Sequence, residues 1–312
     1  MPIQEQTELL QFRDPDQPNL HTVFWTREAL SEVENPKLLV WNHGIGEHSA
    51  RYRRFAETIL SHVPSLHAVI SFDMRNHGHS DGIKGATRNI TDFVKDLYEL
   101  VLPRVSLKYG PNSSVVIGGH SLGGAIVAGA MSNRDCLIAE SIGQLSGVIL
   151  SAPAIEIVVS GAVNKALQPF APFLVRIPGS RGFTKGAGID PNDLCQDKEI
   201  VEAYVNDPLV HDKISVGVGA DLLTYGTSIV DTVKQGTECV LNSVPVLVLH
   251  GKVDKITRIE GSKKLVDAIN HKGHAKMIEI DGAFHEAFNE KPEMGSSTFY
   301  DSVCEFLNSV LT

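Results

Sequence analysis

Short apolar runs recur along the chain, separated by segments in which apolar side chains return every three or four positions. Continuous apolar runs are typical of strands buried on both faces of a sheet, and the wider spacing is typical of helices that pack one face on a core. This alternation predicts an α/β fold with a mostly parallel central sheet and helices on both faces. The strand segments are Lys37–Trp41, His67–Phe72, Val115–Ile117, Leu145–Leu150, Val244–Leu249 and the alternating Lys276–Ile280.

The helical spacing is clearest between Asn89 and Leu107, where the apolar side chains fall on one side. That spacing predicts a single helix packed on the sheet. We expect Asp92 and Asp96 on its exposed face.

The strand rhythm stops after Pro153 and does not resume before residue 243. An apolar stripe of helical spacing begins at Ile155 and reaches Phe170, with further apolar residues up to Val175. We therefore predict a core in two parts, residues 1–153 and 243–312, with a helical lid inserted at 154–242. The apolar face of the lid either packs on the sheet or forms an entrance for lipid, and the pattern leaves both open.

The strand Val115–Ile117 runs directly into a Gly-x-Ser-x-Gly motif centred on Ser121, followed by small apolar residues suited to a helix. Strand, sharp turn and helix form the context of a nucleophile elbow. Gly119 and Gly123 leave room for the strained turn, which lifts the serine hydroxyl clear of the sheet. The Leu122 amide then lies at a helix start, where negative charge is favoured.

An activated serine needs a base, and the base needs an acid that orients it. Asp254 follows the strand that ends at Leu249, and His285 follows the strand that ends at Ile280. Ligands gather at the carboxyl edge of a parallel sheet, so we expect Ser121, Asp254 and His285 to meet there.

Other histidines and acids fit these roles less well. They lie in a polar turn, at a strand end, at a turn cap or on a helix surface, and we expect them to be solvated or structural. They are His271, His274, His250, Asp281 and Asp231.

A third loop completes the predicted site. The strand Lys37–Trp41 leads into His-Gly-x-Gly at His43–Gly46, whose glycines allow the backbone to bend. The Ile45 amide could then point at the same position as the Leu122 amide. Two such donors form an oxyanion hole, and each lowers the barrier by roughly 3 kcal/mol.

Composition narrows the class of protein further. The 312 residues carry a net charge of −9, which argues against nucleic acid or an anionic membrane as an electrostatic partner. Four widely spaced cysteines, at positions 136, 195, 239 and 304, are typical of reduced thiols in a cytosolic protein. No histidine pairs at ligand spacing with cysteines or acids, so we predict no metal and no cofactor. The N-terminus lacks the pattern of a secretory signal, and no apolar run has transmembrane length.

With these residues placed, the chain resembles the monoacylglycerol lipase branch of the α/β-hydrolases, the serine aminopeptidase-like hydrolases. The resemblance extends from about Val23 to the C-terminus. Its motifs are His43–Ser49 with Arg51-Tyr52, Gly119–Gly124, Ser151–Pro153, Tyr204–Leu209, Leu249–Gly251 with Asp254, and Gly282–His285.

The resemblance implies a cytosolic or membrane-associated serine hydrolase that cleaves monoacylglycerols under a mobile lid. The lipid ester would be its partner, with transient membrane or lipid-droplet contact through the lid. Glu47, Arg51 and Tyr204 match the positions that bind the glycerol hydroxyls in the family. The oligomeric state is left open.

Two positions depart from the family pattern. Some relatives carry a second histidine three residues beyond the catalytic one, where this chain has Phe288. Asn76 replaces a glycine in the Asp-x-x-Gly-His-Gly turn. Asparagine tolerates left-handed backbone angles, so we expect the turn to form.

Three alternatives remain beside the hydrolysis of monoacylglycerols. The same triad could act on another carboxylic ester, a thioester, a lysophospholipid or a peptide. A haloalkane- or epoxide-type hydrolase would need a carboxylate at the elbow, which Ser121 does not supply. A ligand-binding protein without catalytic activity could also keep the motif.

Overall fold

The computed structural model describes residues 3–12, 17–27, 33–132, 144–159, 165–166, 168–236, 239–270 and 274–311. Ten strands lie in these ranges: β1 Ile3–Leu10, β2 Leu20–Arg27, β3 Lys37–Asn42, β4 Ala68–Phe72, β5 Ser114–His120, β6 Gln144–Ser151, β7 Thr184–Lys185, β8 Ile214–Ser215, β9 Val246–Gly251 and β10 Ala275–Ile280. Eight of them form one sheet in the order β1-β2-β4-β3-β5-β6-β9-β10, and β7 pairs separately with β8.

Helices surround the main sheet. They are α1 Arg53–His62, α2 Ile90–Lys95, α3 Leu102–Tyr109, α4 Leu122–Ser132, α5 Ala171–Leu174, α6 Lys198–Asn206, α7 Val216–Gln235, α8 Ile259–Asn270 and α9 Ser296–Val310. A π turn at Asp96–Val101 joins α2 to α3. Short 3₁₀ turns lie at Ser49–Tyr52, Gln168–Phe170, Ser180–Gly182, Pro191–Asp193, Val240–Asn242, Ala287–Asn289 and Pro292–Met294.

Successive strand residues pack on opposite faces of the sheet, as the pleat requires. Val40 and Ile117 belong to a core shared with α4 and α7, whereas Leu39 and Val116 belong to a core shared with α1 and α9. Helices therefore cover both faces, as the continuous apolar runs predict.

The strands from β4 through β3, β5, β6 and β9 to β10 all run parallel to their neighbours. Their carboxyl ends consequently meet at one edge of the sheet. Strand β1 runs antiparallel to β2, and β2 runs antiparallel to β4; neither is among the predicted strands. Most of β1 is exposed and polar, so it lacks the apolar pattern of a core strand.

Two local predictions are wrong. Asp96 is buried, because its carboxylate pairs with the Arg75 guanidinium from the loop after β4. The segment from Ile155 to residue 159 is not helical: Ile157 bridges to Thr257, and the Val158 amide donates to Ile256. Pairing with the loop after β9 thus overrides the helical spacing there. Residues 160–164 and 167 of the predicted stripe lie outside the described residues.

The other predicted elements are found. One continuous helical segment runs from Ile90 to Tyr109, opened by a capping box at Asn89. No described residue between β6 and β9 joins the main sheet, so the region of the predicted lid contributes α5 to α7 and the β7–β8 pair. None of the described helices combines the length and apolar character needed to span a lipid bilayer.

Candidate active site

Ser121 lies between β5 and α4 with a φ of 55°, in the left-handed region. Its amide donates to Ser151 O at 2.9 Å, and its carbonyl accepts from the amides of Ala125 and Ala154. These three bonds offset a backbone conformation that costs a non-glycine residue about 1–2 kcal/mol. The strained turn predicted for the elbow is therefore present.

The elbow packs directly on the loop after β3. A Cβ atom at Gly123 would lie 2.3 Å from Asn42 O and 2.4 Å from His43 O. A Cβ atom at Gly119 would meet the Gly123 carbonyl at 2.6 Å. Only glycine permits this approach, which brings the loop of Ile45 beside the start of α4.

His285 and Asp254 follow β10 and β9, and their side chains meet. His285 Nδ1 lies 2.7 Å from Asp254 Oδ2. Burial opposes ionisation of Asp254, but the imidazoles of His285 and His250 hold the pKa of its carboxyl well below the ordinary value. Burial likewise disfavours the charged His285, yet Asp254 raises its pKa above the usual range. The pair can therefore hold a proton on the imidazole.

Asp254 is fixed from every side. The amides of Ile256 and Thr257 donate to Oδ1 at 2.7 and 3.0 Å, and the Thr257 hydroxyl donates to Oδ2 at 2.8 Å. His250 Nε2 lies 3.2 Å from Oδ2, while its Nδ1 lies 2.8 Å from the Ser262 hydroxyl. His250 is thus the structural histidine that its place at a strand end indicates, and it also orients the acid.

The remaining competitors that the structure describes are exposed to solvent. Asp231 is exposed on α7, and Asp281 is exposed beside Lys252. His274 is exposed before β10, and His271 lies outside the described residues.

One small cavity brings the predicted groups together. Ser121, His285 and Ile45 line it, together with Glu47 and Tyr204. Ser121 is only 6% exposed and His285 only 3%, so the cavity is nearly closed. The Leu122 amide opens α4, where the first N–H groups lack an intrahelical acceptor.

A buried group of charges forms one wall of this cavity. Glu47 accepts from the Gly44 amide at 2.6 Å and from the Tyr52 hydroxyl at 2.7 Å, and it pairs with Arg51. Burial opposes its ionisation, but Arg51 and nearby histidines lower the pKa of Glu47 to about 2. The Arg51 guanidinium also donates two bonds to the Glu286 carboxylate, at 2.9 and 2.8 Å.

Glu47, His120 and Glu286 offer ligand atoms within 4.8 Å of one another. The Arg51 guanidinium already binds both carboxylates, so the donor set suits a buried ion-pair cluster better than a metal ion. Burial, then the charge of His285, lowers the pKa of His120 to about 3 and keeps that ring neutral.

The lid region contacts the loop after β3 and its 3₁₀ turn at three places. The Tyr204 ring lies over the Arg51 guanidinium, and the Arg51 Cζ atom is 4.6 Å from the centre of that ring. His48 Nε2 lies 2.8 Å from Asp207 Oδ2, and the His211 amide donates to Gly46 O at 2.8 Å. Residues 204–211 therefore hold the loop that carries Ile45.

The two departures from the family pattern have different outcomes. Phe288 is buried in an aromatic group, with its ring 5.1 Å from that of His120 and 5.3 Å from that of Tyr52, and it offers no polar contact. Asn76 has a φ of 64°, as expected for the turn, and its side chain donates to Thr87 at 2.9 Å.

Sequence reasoning missed Glu286 and the contacts of His120. Glu286 is adjacent to His285, and His120 lies within the elbow motif, so their positions were visible in the sequence. The role of Glu286 was not visible, because it depends on Arg51, which is 235 positions away. His120 contacts the Ser151 hydroxyl and the His285 ring, which also come from other segments of the chain.

Comparisons with known proteins show the family of the chain. A model of the family described as serine aminopeptidase, S33, matches residues 34–292. The monoacylglycerol lipase of Mycolicibacterium smegmatis is 31% identical over 256 residues, covering 81% of this chain and 82% of that protein. The monoglyceride lipase of Homo sapiens is 28% identical over 269 residues, covering 85% and 81% respectively.

Solved structures give the same answer. The monoacylglycerol lipase of Paleococcus ferrophilus matches with a TM-score of 0.73 and 27% identity, covering 93% of this chain and 98% of that chain. The predicted fold and the predicted enzyme class, a carboxylic ester hydrolase, are confirmed. The chain therefore belongs to the serine aminopeptidase (S33) family of α/β-hydrolases, in its monoacylglycerol lipase branch.

Proposed function

We propose that this protein hydrolyses the ester bond of monoacylglycerols to a fatty acid and glycerol. The observation that carries the proposal is the His285–Asp254 pair at 2.7 Å, on the same cavity as the strained Ser121. The relatives named monoacylglycerol lipase support the choice of substrate.

Ser121 Oγ attacks the ester carbonyl while His285 Nε2 takes its proton. Asp254 stabilises the imidazolium that forms, and the amides of Ile45 and Leu122 donate to the oxyanion. His285 then gives the proton to the glycerol oxygen, which leaves an acyl-enzyme on Ser121. A water molecule, deprotonated by His285, attacks the acyl carbon, and the fatty acid departs as Ser121 regains its proton.

The glycerol head is assigned to the polar wall of the cavity. Glu47 and Tyr204 line that wall, so they are placed to accept and donate hydrogen bonds to hydroxyls. Burial raises the pKa of Tyr204, so its phenol stays protonated and can donate. Arg51 lies behind both and acts by holding them in place.

The acyl chain is assigned to a second cavity in the region of the lid. Its wall is mainly aliphatic and includes Ile157, Leu174 and Leu222. A third cavity lies between the two: it shares Ile45 and Tyr204 with the catalytic cavity, and Ala187 with the aliphatic one. The shared residues support a route for the acyl chain under the predicted lid, 154–242.

The lid region also supports contact with a lipid surface. Five of its apolar side chains are between 56% and 69% solvent-accessible, and four of the five lie within the short stretch of residues 170–183. They are Phe170, Phe173, Ile177, Phe183 and Val205. We assign the enzyme to the cytoplasm, with transient contact at membranes or lipid droplets through these side chains.

A fluorophosphonate probe together with a substrate panel tests the proposal. We expect rapid labelling that Ser121→Ala abolishes, and hydrolysis of long-chain monoacylglycerols in preference to di- and triacylglycerols and acetyl esters. Ser132→Ala is the matched control, because Ser132 lies on the same helix and its hydroxyl bonds within that helix. Labelling that survives in Ser121→Ala would contradict the catalytic assignment, and a preference for triacylglycerol or acetyl esters would contradict the substrate.

A further inference from the structure

The polar wall of the catalytic cavity carries an unbalanced negative charge. Two carboxylates, Glu47 and Glu286, line the cavity, and one guanidinium, Arg51, lies between them. No lysine or arginine is among the described residues that line the cavity. His120 stays neutral because burial and His285 hold its pKa near 3. The group of Glu47, Arg51 and Glu286 therefore has a net charge of −1.

Glu286 supplies the surplus charge. Glu47 is already satisfied by the Gly44 amide, by the Tyr52 hydroxyl and by Arg51. One carboxylate beside one guanidinium would leave the wall neutral, and Glu286 makes the second. Its partners are Arg51 and the Asn289 side-chain amide, which donates at 2.7 Å. It is also one residue from His285, next to the site where the alcohol leaves.

We infer that Glu286 determines specificity for the alcohol part of the ester. A net negative wall favours neutral polyols and cationic alcohols and disfavours anionic ones, because an anionic head group would be brought into a nearly closed cavity beside like charge. This inference rests on the proposed function, since it assigns the polar wall to the alcohol. It adds that the charge of the leaving alcohol decides which esters are cleaved.

The charge of Glu286 is close enough to the cavity to change the binding of a charged alcohol measurably. A charge within several ångströms of another, at the effective dielectric constant of about 20 found near protein surfaces, changes binding by about tenfold or more. Salt screens such a pair weakly when water is excluded. Removing the Glu286 charge leaves Glu47 paired with Arg51 and the wall neutral.

The test compares three esters that share a decanoyl chain and differ in the alcohol: glycerol, choline and glyceric acid. Values of kcat/KM are measured below the critical micelle concentration for the wild type and for Glu286→Gln. Glu290→Gln is the matched control, because Glu290 is buried in the same loop but accepts from the amides of Phe284 and Gln196 away from the cavity. Thermal unfolding and fluorophosphonate titration show that each variant is folded and how many sites are active.

We expect the wild type to prefer the choline ester to the glycerate ester by about 100-fold, about tenfold from attraction of the cation and about tenfold from repulsion of the anion. Glu286→Gln should bring that ratio close to one, because the wall is then neutral. Glu290→Gln should keep the wild-type ratio. An unchanged ratio in Glu286→Gln overturns the inference, because a merely structural role would lower all three rates together. Equal wild-type rates on the two charged esters overturn it even if Glu286→Gln does not fold.

Failure of the proposed function gives a different result. In that case the wild type would leave the glycerol ester intact while still cleaving another ester of the panel. The ratio of the charged esters is read independently of that outcome.

Discussion

Replacement of Gly123 by alanine tests how closely the elbow must approach the loop of the oxyanion hole. The new Cβ atom would lie 2.3 Å from Asn42 O and 2.4 Å from His43 O, both backbone atoms. Widening the 2.3 Å separation to 3.0 Å, where real Cβ contacts begin, moves the two backbones apart by 0.7 Å. Ile45 and Leu122 are close in sequence to the two sides of this contact.

A displacement of that size spoils the aim of one amide donor at the oxyanion. Removal of one oxyanion donor costs about 10² to 10³ in kcat, so we expect Gly123→Ala to lose about 100-fold in kcat with little change in KM. The overpacked contact should also lower the free energy of unfolding by about 1–3 kcal/mol. The assay is steady-state hydrolysis of a monomeric ester, corrected for active sites by fluorophosphonate titration.

Gly124→Ala is the control, since it adds the same methyl group one residue further along the helix. Its nearest contact is the Pro153 side chain at 3.0 Å, which is tight but does not involve the oxyanion loop. We expect it to retain kcat within about threefold. A Gly123→Ala enzyme with wild-type kcat would refute the argument that the close approach of the elbow and the loop sets the oxyanion geometry.

Two further predictions concern pH and the lipid surface. His285 must be neutral to accept the Ser121 proton, and Asp254 raises the pKa of His285. We therefore expect kcat/KM to fall as the pH decreases, with a midpoint above 6.5. Asp254→Asn should move the midpoint of the residual activity lower. A midpoint unchanged in that variant would count against the pair. The double variant Phe173→Ser, Phe183→Ser should bind phosphatidylcholine vesicles about tenfold or more weakly, because burial of each phenyl ring contributes roughly 1.5–3 kcal/mol. Its activity on a monomeric ester should stay unchanged. Vesicle co-sedimentation measures the first effect, and equal sedimentation of both proteins would exclude the lid as the contact.

Sequence could predict the parts of the site that depend on a local motif or on the position of a residue directly after a strand. Ser121, Asp254 and His285 each follow a strand, and parallel strands place such loops at one edge of the sheet. The elbow turn needs a positive φ at one residue and close approach at its glycines, and both demands leave a local motif. The structure accordingly brings the predicted Asp254 and His285 to 2.7 Å.

The part that sequence could not predict depends on pairing between distant segments. Asp96 was expected in solvent, because helical spacing records which side is apolar but not that Arg75 would reach a carboxylate there. The apolar spacing that begins at Ile155 predicts a helix, whereas the loop after β9 pairs with this segment through the bridge between Ile157 and Thr257. The charge on the wall of the cavity was hidden for the same reason, since Glu286 and Arg51 are 235 positions apart.

The amide of His211 and the carboxylate of Asp207 tether the turn that follows β3, through Gly46 O and the His48 imidazole. If residues 207–211 move aside to admit a large substrate, both contacts must break. The backbone that carries Ile45 then loses two of its anchors at the same moment. We expect such a displaced state to polarise the ester carbonyl poorly until both contacts form again.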